Sequence, residues 1–270
     1  PDAGGMRLSA ASIGALIKYP WTSQGPRGRS KFNIYQTELP FIRRVAAELG
    51  LLEAGCDQWV RHPLSYLMEA SDDICYALLD LEDAVELELL TDTEVESVLS
   101  ELTFEESTWH AQSSRQRCAM LRGIAIGKAI EDAAQTFMKH QSDLLSGEFK
   151  GKDLISLCSP EVQNTLEKAK ELARTRIFRH RTKLMTEIAT FPCLGSILDL
   201  FVPAAHALLV EQKLDVRQSL ILDLLKNHNP ILETDSLYQA YMKILDFVGG
   251  MTDNAAAKMA QDLSGTGILR

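Results

Sequence analysis

Proline and glycine are scarce, at 9 and 16 of 270 residues, too few for a turn-rich all-β protein. Cysteines 56, 75, 118, 158 and 193 are odd in number, widely spaced and without a C-x-x-C pair, so a disulfide framework is not expected. No apolar run approaches the roughly 20 residues of a membrane span and no secretory signal heads the chain, so the expected setting is the cytoplasm, with no membrane contact. Walker, nucleophile-elbow and dinucleotide fingerprints are missing as well. A net charge of -9 argues against a protein whose main business is binding duplex nucleic acid. What remains is an ordinary soluble balance, 46% hydrophobic and 24% charged.

Bases are missing from one place in particular. Between His62 and Ser114 there is no Lys or Arg, and the same window holds fourteen acids, from Glu69 to Glu106. The rest of the chain is net positive, and Arg115 to Lys183 carries 14 bases against 8 acids. Those bases could neutralise the acidic window or meet nucleic acid; neutralisation is the expected use.

Almost everything reads as helix: Leu8 to Tyr19, Leu39 to Leu49, Pro63 to about Leu90, a start at the Thr91–Glu94 capping box, and Gln116 to about His140. Ser159 and Pro160 open a helix reaching about Ile188, followed by shorter ones near 195–210, 216–226, 235–248 and 253–263. Residues 20–37 form a basic loop. No strand competes, no repeat is visible and no linker divides the chain. The expectation is all-α, a single interlocked unit over 1–270 with regions 1–113 and 114–270.

On a helical wheel with Asp72 at zero, Asp83, Tyr76, Glu69 and Asp80 fall at ~20°, ~40°, ~60° and ~80°. Leu67, Met68, Ile74, Cys75, Leu78, Leu79, Leu81 and Val85 form the opposite, apolar side. Four carboxylates and a phenol without a base at i±3 or i±4 repel one another. A bound cation, bases from another segment, or water must offset this. By geometry alone the face reads as solvated, with the Tyr as its oddity; if functional, the row should face a shared hollow.

Residues 61–86 (RHPLSYLMEASDDICYALLDLEDAVE) resemble a signature of the deoxyguanosine triphosphate triphosphohydrolase family, a branch of the HD-domain metal-dependent phosphohydrolases. Segments 4–8 (GGMRL), 18–21 (KYPW), 35–38 (YQTE), 121–126 (LRGIAI) and 246–253 (DFVGGMTD) resemble family segments in family order, so the likeness covers the whole chain. It implies an HD-domain-like body and hydrolysis of dGTP, or other dNTPs, to deoxynucleoside and tripolyphosphate. By this resemblance Asp72 is a metal ligand, Tyr76 packs on the deoxyribose and Asp80 accepts the 3′-hydroxyl. Lys18 and Tyr19 lie near the triphosphate, with Lys31 as a further phosphate contact and Arg27 and Arg29 in the same loop. The implied cofactor is a divalent metal, Mg2+ with Mn2+ as the alternative. Implied partners are other copies of the chain, as a hexamer, and single-stranded DNA as an effector.

The family also needs a His and a His-Asp pair, and this sequence has no His-Asp dipeptide; its histidines stand singly, and His62, before Pro63, reads as structural. The expectation is therefore a body lacking its N-terminal part, with three of four metal ligands upstream and no catalysis by the isolated chain. Two other readings stay open: a non-catalytic all-α oligomerisation or regulatory module, and hydrolysis of a different nucleotide.

Overall fold

The computed structural model describes residues 7–25, 31–103 and 113–267. The segment 4–8 falls mostly outside these residues, as do Arg27, Arg29 and His110. Among the described residues the protein is all-α, with eleven α-helices and one short hairpin. The contacts divide the chain into two compact units that meet between His180 and Arg181. The expected 113/114 division instead falls inside one core, because helices on either side of it pack together.

In the first unit, α1 (Ala10–Leu16) and α2 (Leu39–Leu49) flank the basic loop. Pro40 sits in the first turn of α2, and Gly50 closes it with φ 62°, a left-handed conformation that glycine adopts without penalty. The hairpin of β1 (Glu53–Gly55) and β2 (Gln58–Trp59) is the element the sequence reading lacks. Five strand residues carry no readable alternation. The hairpin is held by its surroundings: Trp59 N–H donates to the Pro20 carbonyl, and Arg43 pairs with Asp57 in the turn at 2.7 Å.

The central element is α3 (Pro63–Glu86). His62 caps it, its Nδ1 accepting from the Leu64 N–H, and Pro63 stands where no intrahelical donor is needed. The structural reading of His62 is thus correct. The helix ends four residues before the expected Leu90, since Glu88 takes φ 57° and breaks the ladder. α4 (Asp92–Thr103) then starts at the expected capping box: Thr91 N–H reaches Glu94 Oε2 at 2.8 Å and Glu94 N–H reaches Thr91 Oγ1 at 3.3 Å. α5 (Ser114–Lys139), α6 (Gln141–Ser146) and α7 (Pro160–Leu172) complete the unit, with α3 packing on α1, α5 and α7. The inward side of α3 is turned from the expected stripe toward three alanines at seven-residue spacing, Ala70, Ala77 and Ala84, which lie beside Ile74, Leu78 and Leu81. Small side chains there let neighbouring helices approach closely. Leu79, placed by the wheel with the apolar side, is 41% exposed, and Cys75 and Met68 are only half-buried.

Two readings are corrected on either side of the boundary at His180. The helix expected from Pro160 to Ile188 stops at Leu172, and a π turn (Ala173–Ile177) ends it. A new helix, α8 (Arg181–His206), runs through Pro192 and Pro203 and spans the break expected between about Ile188 and residue 195. Together with the π turn after it, Arg181–Glu211 is long and apolar enough to cross a membrane by length and composition, which corrects the statement that no run approaches that length. Its C-terminal half is core: Ile197, Phe201, Ala204 and Ala205 are buried by α9 (Val216–Asp223), α10 (Leu237–Gly249) and α11 (Asp253–Leu263). Capping boxes at Asp215/Gln218 and Ser236/Gln239 start α9 and α10.

Leu81, fully buried, and Leu79, largely exposed, give a paired test of the orientation of α3. Leu81→Ala should cost about 2–5 kcal/mol in urea unfolding, whereas Leu79→Ala should stay within about 0.5 kcal/mol.

Candidate functional site

The acidic window is met by bases from elsewhere in the chain. Glu69 takes Lys18 and Arg61, Asp73 takes Lys170 at 3.1 Å, and Glu82 takes Arg122. On α4, Glu94 takes Arg176 at 3.0 Å, Glu96 takes Arg117 at 2.6 Å, and Glu101 takes Lys168. Five of these seven bases come from the basic stretch 115–183. Internal neutralisation, one of the three ways to offset the repulsion, therefore accounts for at least six acids of the window among the described residues.

Glu69 does not belong to the outward row. It is 9% exposed, with Oε1 2.5 Å from Lys18 Nζ and Oε2 2.8 Å from an Arg61 terminal nitrogen. The Arg61 contact is one of charge, lying off the hydrogen-bond line. Arg61 spends its donors on Ser65: Nε–H to Oγ at 3.0 Å and a terminal N–H to the carbonyl at 3.1 Å. Its guanidinium also lies 3.9 Å from the centre of the Tyr66 ring, a cation–π stack. Sequence reasoning missed this cluster. Lys18 and Glu69 are 51 positions apart, and a wheel drawn on one helix cannot show a base arriving from outside it.

Asp72, Tyr76 and Asp80 remain on α3 at i, i+4 and i+8, spanning about 12 Å of helix axis. Asp72 is exposed and Tyr76 is 57% exposed, its ring 6.4 Å from that of Phe178. Asp80 is half-buried, with one carboxylate oxygen shut off from solvent. The expected hollow is not enclosed here: Asp72 and Tyr76 lie on an open face. An apolar cavity of about 380 Å³ beneath the start of α3, lined by Leu51, Val60, His62, Phe137 and Leu144, contains none of the six candidate residues.

Lys18, Tyr19 and Lys31 do come together. The two ammonium groups flank one ring, 5.5 and 5.7 Å from the Tyr19 centroid. The loop is tied at its base: Trp21 Nε1–H donates to the Lys31 carbonyl at 2.7 Å, and the Tyr19 N–H to Asn33 Oδ1 at 2.7 Å. The Tyr19 and Trp21 rings lie 5.6 Å apart. Through Glu69 this cationic cluster is fastened to α3 one turn before Asp72.

The donor set does not fit a complete metal site. Among the described residues no group of three His, Cys, Asp or Glu side chains converges as metal ligands, and Asp72 would be a single exposed carboxylate. One carboxylate does not fix a dication's geometry.

Partial burial pulls the Lys18 pKa down, but the hydrogen bond and charge of Glu69, with a smaller contribution from Tyr19, outweigh it and leave it raised. A raised lysine pKa stabilises the fold below the unfolded value of about 10.4 and loses that effect as pH rises through the folded value. Replacing Lys18 by Met should therefore cost up to about 1 kcal/mol near neutral pH, the pair being partly screened. In chemical unfolding followed against pH, the gap from wild type should close in the alkaline range.

No family model matches the sequence. Curated relatives do. A deoxyguanosinetriphosphate triphosphohydrolase-like protein of Pseudomonas aeruginosa is 38% identical over 272 residues, covering 97% of this chain and 61% of the relative. One from Synechocystis is 29% identical over 273 residues, covering 97% of the chain and 60% of the relative. A deoxyguanosinetriphosphate triphosphohydrolase of Serratia proteamaculans is 28% identical over 228 residues, 73% of the chain and 43% of that protein. The chain thus spans about three fifths of the length of the relatives it matches from end to end, and along nearly its whole length it is similar to deoxyguanosinetriphosphate triphosphohydrolase-like proteins.

Proposed function

We propose that the chain supplies the sugar and triphosphate face of a dGTP triphosphohydrolase, and that further metal ligands come from residues outside these 270. The observation that supports this most directly is the juxtaposition on α3. Asp72, Tyr76 and Asp80 line one side over the length of a deoxynucleoside phosphate, and Glu69 fastens Lys18 and its neighbours one turn away.

In this reading Lys18 and Lys31 meet the triphosphate, Tyr19 spacing their two charges. Tyr76 lies against the deoxyribose, where its ring crowds a 2′-hydroxyl. Asp80 accepts the 3′-hydroxyl. Asp72 is one ligand of a divalent ion, Mg2+ or Mn2+, which when fully coordinated would supply Lewis-acid activation of water. The described residues do not complete that coordination. The products would be deoxynucleoside and tripolyphosphate, with dGTP as the preferred substrate and the cytoplasm as the setting.

Homo-oligomer assembly is part of the same proposal. Met185, Ile188 and Phe191 are exposed at three-residue spacing along the first half of α8, Phe191 by 80%. Single-stranded DNA as an effector draws less support: Arg117, Arg122, Lys168, Lys170 and Arg176 are engaged with acids of the same fold.

The purified 270-residue chain with dGTP and Mg2+ should release no tripolyphosphate; robust metal-dependent turnover would overturn the division of ligands. In the complete protein, Asp72→Ala should abolish turnover. Tyr76→Ala should mainly relax discrimination, raising kcat/KM for GTP relative to dGTP by about tenfold, the order expected when one steric contact is lost. Unchanged turnover of the Asp72 variant would remove that residue from the site.

A further inference from the structure

We propose that Glu69 is a positioning residue: its buried carboxylate holds the Lys18 ammonium beside Tyr19 and Lys31 in the orientation that receives a polyphosphate. The inference rests on the triphosphate reading above and goes beyond it by giving a role to a residue that would itself repel the ligand.

A carboxylate next to an anion site needs a reason. Glu69 is the one buried acid on α3, and two cations converge on it. Arg61 is anchored independently, by Ser65 through two hydrogen bonds and by the Tyr66 ring beneath it. It offsets the Glu69 charge without moving toward the loop. Lys18 therefore keeps its positive charge while losing its rotational freedom. Counting Lys31, three cations stand against one carboxylate. The site stays net positive although it adjoins an acidic helix, and Lys18, 36% exposed along its side chain, stays reachable. A free lysine on that loop would pay side-chain entropy on meeting a ligand; one held by Glu69 has already lost most of it.

The test is a double-mutant cycle on the 270-residue chain. It is read as the Kd for inorganic tripolyphosphate by calorimetry, without metal and at fixed ionic strength, with thermal melts confirming that each variant folds. Glu69→Gln makes the site more positive, so a carboxylate that merely adds charge predicts tighter binding, and one that only braces the fold predicts no change in a folded variant. The positioning role predicts the opposite sign: about 3–10-fold weaker binding, the scale of one misplaced charge-assisted contact. The Lys18→Ala, Glu69→Gln double variant should bind no more weakly than Lys18→Ala alone. If Glu69→Gln unfolds, Glu69→Asp keeps the charge but withdraws it by one methylene, and should weaken binding in the same way. Binding that depends on Lys18 yet is unchanged or tighter in the folded Glu69 variant overturns the positioning role alone, as do additive losses. No binding by the wild-type chain overturns the triphosphate reading and this role with it.

Discussion

Fourteen carboxylates in a stretch without a base repel one another, and bases from outside the stretch are brought to at least six of them. At the spacing of one helical turn, each unrelieved like pair costs a few tenths of a kcal/mol, and more where water is excluded. The first unit supplies those bases. α5, α7 and the π turn after α7 carry the bases that face Glu82, Asp73, Glu94, Glu96 and Glu101, while the Lys18 loop and Arg61 close on Glu69. Most of these pairs are partly exposed, so each contributes little by itself. Their collective effect is to let the acidic helices pack where their apolar sides demand.

Exposure along α3 is uneven, and it sets out the candidate site. Bases cover one flank of α3 and the beginning of its acidic row. Asp72 and Tyr76 are left on an open face, with Asp80 half-buried behind them. Beside that face sits a cluster of the opposite sign, Lys18 and Lys31 across one tyrosine ring. An acidic face and a basic cluster thus stand side by side on the first unit. One protein carboxylate does not fix a dication.

The second unit is organised by different forces. α8 places Phe201 and Ile197 at the centre of a core built by the three helices after it, and its first half presents Met185, Ile188 and Phe191 outward. Two prolines, Pro192 and Pro203, lie inside α8 without ending it.

Much of the architecture could be read without coordinates. Caps and breakers located most helices to within a few residues: His62 and Pro63 open α3, Thr91 and Glu94 open α4, and Gly50 ends α2. The all-α class and the family likeness also follow from sequence, since periodicity and motif words are local along the chain. Helix ends at Glu86 and Leu172 were missed because they depend on a left-handed Glu88 and a π turn, neither of which composition signals. The hairpin and the inward turn of Ala70, Ala77 and Ala84 depend on what lies opposite them. Above all, the wheel put Glu69 among solvent-facing acids, and only tertiary structure moved it into a buried cluster with Lys18 and Arg61. Periodicity records which side of a helix is apolar. Which distant charge reaches a given carboxylate is decided by chain reversals whose geometry no local pattern encodes.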